Sequence, residues 1–142
     1  MKNPLDEWTE NNPVDSWDEN QGDHRLGFDF DYNNFSALQN FLAIKLYDTK
    51  QRESESYIDR EERLKNQYLK AAKEKGYEML GRIWYWYESV SYFPPEINQL
   101  LEECLKLKSN AQNSEQVAAM EKLIIACNEA NKINSGIFLG SD

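Results

Sequence analysis

The sequence predicts a mainly α single domain spanning residues 1–142, a bundle of about five helices with room for one or two short strands near residues 26–32 and 136–139. Three observations carry this reading. Beyond residue 36, apolar residues recur at three- and four-residue spacing through most of the chain. Gly76, Pro94-Pro95 and the polar run Asn110 to Ser114 interrupt that pattern where helices should stop and start. A chain of 142 residues is long enough to bury one sizeable core and gives no sign of a second domain or an internal repeat.

Residues 1–32 differ in kind from the rest and read as an acidic, aromatic-bearing arm. They hold nine acids against Lys2 and Arg25, which is −7 of the total net charge of −9. Pro4, Pro13, Gly22 and Gly27 interrupt any long helix there. Trp8 and Trp17 argue for docking of the arm rather than full solvation. Leu26, Phe28, Phe30 and Tyr32 alternate with Gly27, Asp29 and Asp31, the period of a half-buried strand.

Helical spacing follows. Ser36 with Gln39 has the form of a capping box, ahead of a stripe of Leu38, Phe41, Leu42 and Leu46. From Arg52 to Lys75 charge dominates, yet Tyr57, Leu64, Tyr68 and Ala71 keep helical spacing, and Glu61 and Lys65 stand at an ion-pairing interval. Its basic residues interleave with acids, so this is a solvated helix face rather than a nucleic-acid patch. After Gly76, the run Ile83 to Tyr87 has the composition of a buried strand. Met79, Leu80, Ile83, Trp84, Tyr87 and Val90 nevertheless form a helical stripe, and helix is the expectation here. On that helix Trp84 and Tyr87 face the core, Tyr85 points nearly opposite, and Trp86 lies on the flank.

Pro94-Pro95 ends this element and opens the next, in which Ile97, Leu100, Leu101, Cys104 and Leu105 share a face. Ser114 is the expected cap of the last helix, with Met120, Leu123, Ile124, Cys127 and Ala130 inward. Both cysteines thus sit among aliphatic residues and read as reduced core thiols, although spacing alone leaves a disulfide open. Gly136 to Gly140 is too short for a helix and suits a strand.

The inventory for catalysis is thin. His24 is the only histidine and lies in the acidic arm, far in sequence from either cysteine. Two cysteines 23 positions apart with one distant histidine make no structural zinc set, the arm's acids lack the spacing of a calcium loop, and no phosphate-binding glycine loop occurs. No catalytic residue, metal or cofactor is expected, and no enzyme. The opening Met-Lys-Asn-Pro-Leu-Asp lacks the apolar stretch of a signal peptide and no run is long enough to span a membrane, so a cytoplasmic place is expected. Net charge of −9 repels nucleic acid and anionic lipid and attracts basic proteins. Tryptophan and tyrosine bury large areas at interfaces while keeping a polar tip. The residues expected to bind a partner are therefore Asp15, Trp17, Asp18, Glu19 and Asp23 of the arm, with Tyr85 and Trp86.

Several segments together resemble a known type of protein. They are Met79-Leu80-x-Arg82-Ile83-Trp84, Glu96-Ile97-x-x-Leu100-Leu101-x-Glu103-Cys104-Leu105, Leu123 to Ala130, and the closing Gly136-Ile137 and Ser141-Asp142. They resemble the immunity proteins that guard bacteria against the toxin domains of contact-dependent growth inhibition systems. The resemblance covers a little under half the chain. It implies a cytoplasmic inhibitor that binds a cognate toxin domain, often a nuclease, and it carries over no catalytic or toxin-binding residue. The expected partner is accordingly a basic protein toxin domain, with no direct nucleic acid, membrane or small-molecule substrate. Two rivals stand beside it: an adaptor or structural subunit of a complex, and a nucleic-acid-mimicking inhibitor from a phage or mobile element.

Overall fold

The computed structural model describes residues 30–140 in full and the backbone of residues 25–27. Four α-helices and a three-stranded sheet make up the regular structure there: β1 (Arg25–Gly27), α1 (Tyr32–Leu42), α2 (Tyr57–Lys75), β2 (Val90–Tyr92), α3 (Ile97–Lys108), α4 (Ser114–Lys132) and β3 (Gly136–Leu139). The class is mainly α, as the periodicity predicts. The expected fifth helix, over 79–90, is absent.

Each helix begins and ends for a local reason. Asp31 caps α1 by accepting the Asn34 N–H at 2.8 Å, while the Asn34 side chain accepts from the Asp31 N–H at 3.1 Å. This box lies ahead of the expected Ser36 cap, so α1 absorbs Tyr32 from the expected strand, of which β1 is described over Arg25–Gly27. Ser56 Oγ caps α2 by accepting from Asp59, and Gly76 closes it at φ 92°, where only glycine is unstrained. Asn113 caps α4 one residue before the expected Ser114.

The core lies along α4. Lys108 meets Glu121 at one end and Asn131 meets Asn98 at the other, so α3 and α4 run antiparallel. Leu100, Cys104, Met120, Leu123 and Cys127 are fully buried in this core, and α1 packs Leu38 and Leu42 into it. Each buried aliphatic side chain contributes about 1.5–3 kcal/mol, against about 0–1 for an exposed ion pair, so apolar packing holds the bundle together. Both cysteines are free and buried; burial pushes the Cys127 thiol up to about 12 and that of Cys104 higher. Leu105, expected inward, is exposed, and Glu103 takes a buried place on α3 instead. Strand β3 is central, with β1 parallel on one side and β2 antiparallel on the other. Among the described residues no helix is long and apolar enough to cross a membrane.

The segment from Tyr77 to Phe93 replaces the expected helix with a 3-10 turn (Leu80–Arg82), an irregular stretch and β2. Side chains distant in sequence occupy the backbone groups that a helix would use. Glu103 accepts the N–H groups of Met79 and Leu80 at 2.9 and 3.0 Å. The Tyr92 hydroxyl donates to the Met79 carbonyl at 2.5 Å, and Gln39 Nε2 donates to the Ile83 carbonyl at 2.5 Å. Gly81 is needed for close approach, since a Cβ there would meet the Ala72 Cβ at 2.5 Å. From Trp84 to Tyr92 burial alternates with period two, even positions inward and odd positions further out. Four consecutive aromatics would leave a helix no polar face, whereas this alternation puts Trp84 and Trp86 inward and Tyr85 and Tyr87 outward.

Candidate functional site

Helix α2 serves three clients with three faces. Leu64, Tyr68 and Ala72, four residues apart, enter the core; Ala71, expected on that stripe, is only half-buried, and Tyr57 is 61% exposed. Arg60, Arg63 and Gln67 bind the connection from residue 43 to residue 56 through the carbonyls of Thr49 and Asp48 and the N–H of Tyr47. Tyr57, Ile58, Glu61, Glu62 and Lys65 face the stretch 84–89 across an open groove of about 620 Å³.

The far wall of the groove is aromatic. Trp84 and Tyr85 lie with ring centroids 5.2 Å apart and tilted by 31°, and Tyr87 stands edge-on to Tyr85 at 5.6 Å and 67°. Ile58 is 74% exposed, Tyr87 64% and Tyr85 38%, so the groove offers ring faces and one aliphatic side chain to solvent. Glu88 fixes the wall by accepting from Trp84 Nε1 at 2.7 Å while its other oxygen pairs with Lys65 of α2. The expected Glu61–Lys65 pair does not form: Lys65 reaches across the groove, and Glu61 pairs with Arg60. Desolvation raises the Tyr85 phenol above its ordinary value, and Tyr57, Glu61 and Tyr87 add to the shift, so the ring is uncharged at neutral pH.

Of the residues expected to bind a partner, the structure brings Tyr85 to this groove and takes Trp86 elsewhere. Trp86 packs over α1, edge-on to Tyr32 at 5.3 Å and tilted against Phe35 at 5.7 Å. Asp15, Trp17, Asp18, Glu19 and Asp23, with most of the arm, lie outside the described residues. Of Trp84 and Tyr87, both expected in the core, Trp84 is half-buried and packs against the core while lining the groove wall, whereas Tyr87 is exposed there. The signal that finds them is the alternation over 83–87, together with the i,i+4 spacing of Tyr57, Glu61 and Lys65.

The buried carboxylates belong to the scaffold. Glu103 is surrounded by Met79, Leu80 and Gln99 donors, and its pKa is raised by burial. Glu96 takes the Arg82 guanidinium with both oxygens and also accepts from its own cap at Phe93, while Arg82 stacks over Tyr92 at 5.4 Å. Among the described residues no three His, Cys, Asp or Glu side chains converge as a metal site would require. No protein-family model matches the chain, and searches among curated proteins and among solved structures returned no match.

Proposed function

We propose that this chain is an immunity protein that binds a cognate toxin domain, a nuclease with a basic surface, in the cytoplasm and neutralises it without catalysis. The observation that supports this most is the groove between α2 and residues 84–89. It offers exposed tyrosine rings and Ile58 beside Glu61, Glu62 and Glu88, on a scaffold whose buried carboxylates Glu96 and Glu103 are already held by an ion pair and by hydrogen bonds. Rigid aromatics with an acidic rim suit recognition of a basic protein surface. The acidic arm then acts at longer range: Asp15, Asp18, Glu19 and Asp23 steer the encounter, and Trp17 anchors the complex.

The test is protection. The chain is co-expressed with the toxin domain encoded beside it, and surviving colonies are counted. Survival that falls when Tyr85 and Tyr87 are replaced by Ala supports the reading; death with the unaltered chain present contradicts it. Replacing the four arm acids by Asn or Gln should slow association with that domain about tenfold at low salt, a difference that shrinks as salt rises. A second reading, an adaptor subunit, draws on the exposed Leu105 of α3, Ile125 in the middle of α4 and Ile133 just past its end, and predicts a stable oligomer of the isolated protein.

A further inference from the structure

We infer that the groove between α2 and residues 84–89 recognises an arginine side chain presented by a basic protein segment. This rests on the proposed binding function and names the chemistry of its partner. The first argument is charge: the groove lining holds Glu61, Glu62 and Glu88 against Lys65, with Arg60 on Glu61 beside it, so an incoming cation meets one acid in net excess. The second is shape. Tyr85 and Tyr87 meet edge to face and form a corner of two rings, both partly exposed to solvent. A planar guanidinium can stack on one ring while its N–H groups reach carboxylates, whereas an ammonium offers a point charge and no plane.

The third argument is a cation already present. Lys65 Nζ sits in the groove on Glu88, whose second oxygen is held by Trp84 Nε1. Both oxygens of Glu88 are thereby engaged, which makes Glu88 the residue that positions the wall. Glu62 and the second oxygen of Glu61 are the acceptors toward which an arriving guanidinium turns, since Glu61 meets Arg60 through its Oε1 alone. The protonated phenol of Tyr85 keeps that ring neutral. The arginine thus stacks on Tyr85 or Tyr87 and donates to Glu62 and Glu61, with Ile58 covering its methylene stem.

The experiment uses the full chain, labelled for amide NMR, and a synthetic peptide of four Gly-Arg repeats. Matched peptides carry lysine or the uncharged isostere citrulline in place of arginine. The expected result is saturable shifts at residues 57–62 and 84–89, with at least about fivefold weaker binding of the lysine peptide and none of the citrulline peptide. The Tyr85→Phe/Tyr87→Phe variant should retain binding, because the ring faces remain. Tyr85→Ala/Tyr87→Ala should lose at least about tenfold. Should that variant lose its folded spectrum, Glu62→Gln, at an exposed position, must weaken binding at least about threefold. Shifts confined to the acidic arm, equal binding of arginine and lysine peptides, or indifference to the alanine and Gln variants would overturn the inference. Toxin protection that depends on the groove while the arginine peptide ignores it would sink this inference alone. Arginine binding without protection would sink the functional reading alone.

Discussion

Residues 43–56 and residues 77–89 both follow a helix, both largely lack regular structure, and both lie against α2, yet they are held by different means. The polar ties of the first come from arginines of α2, beside Ile44 and Leu46, which pack against the core. Arg63 grips Glu55 with two nitrogens and the carbonyls of Asp48 and Lys50 with the rest of its guanidinium, and Arg60 takes the Thr49 carbonyl. Its residues are mostly exposed, and three of them, Ala43, Asp48 and Ser54, adopt left-handed backbone at φ 51°, 52° and 67°. The second is tied from inside, by Glu103, Tyr92, Gln39 and the Arg82–Glu96 pair, and contains no non-glycine residue at positive φ. An irregular segment anchored through buried polar groups can present aromatic side chains at fixed angles. One whose own residues are mostly exposed, and whose ties are the half-buried Arg60 and Arg63, holds angles less firmly.

The contrast is sharpest at two glutamates. Hydrogen bonds from Arg63, then from the Arg52 N–H, hold the Glu55 carboxyl down to about 2, whereas burial raises that of Glu103 above its ordinary 4.5. Stability from Glu55 is complete above about pH 4.5 and is lost as pH falls toward about 2. That from Glu103 is complete below about pH 4.5 and is lost as pH rises through its folded value. Acid should therefore loosen one segment while favouring the anchor of the other.

The largest expected effect is at that buried anchor. Glu103→Ala leaves two buried N–H groups without an acceptor and should cost about 3–5 kcal/mol by urea unfolding. Glu103→Gln keeps one acceptor, costs less, and should flatten the change of stability with pH above about 4.5. Arg82→Ala strands the buried Glu96 carboxylate and should cost about 3 kcal/mol, toward the low end of the range because the guanidinium is partly solvated. A loss under about 1 kcal/mol in either alanine variant would contradict inside anchoring.

Anchoring by the α2 arginines predicts smaller and more local effects. Arg63→Ala should raise the nitrogen-15 relaxation mobility of residues 48–55 and leave the amides of 79–93 unchanged. The same loop amides should become mobile in the unaltered protein as pH is lowered from about 6 to about 3. Ala43→Gly relieves left-handed strain at the end of α1 and should stabilise the protein by about 1 kcal/mol, the reverse of the usual glycine penalty. If it destabilises, the strain attributed to this segment is not there.

How much of this was legible in the sequence divides along the same line. Along the aliphatic stripes, as in Leu100 and Cys104 or Leu123 and Cys127, spacing alone showed helix, face and burial, with Leu105 the exception. The stops at Gly76 and Pro94 were equally plain, because their chemistry is local. The segment 79–90 was not, since its backbone is decided by Glu103, Gln39 and Tyr92, which lie outside it or at its far end. A helical stripe was present there on paper, and buried acceptors outcompeted it. The groove stayed hidden for the same reason: Tyr85 stood out as an aromatic off the stripe, but Tyr57, Ile58, Trp84, Tyr87 and Glu88 gather around it only once the segment is extended. Trp86, its sequence neighbour, went to the other side and became packing for α1.

The claim on which the account turns is that this inside-anchored segment holds the partner through Tyr85 and Tyr87. The direct measurement is the dissociation rate of the cognate toxin domain from the unaltered chain and from Tyr85→Ala/Tyr87→Ala, by stopped flow, with the arm intact in both. Loss of a desolvated aromatic anchor should speed dissociation at least about tenfold and leave the salt-dependent association rate close to its original value. An unchanged dissociation rate, in a variant whose folded spectrum is intact, would contradict the claim and move the contact to another face.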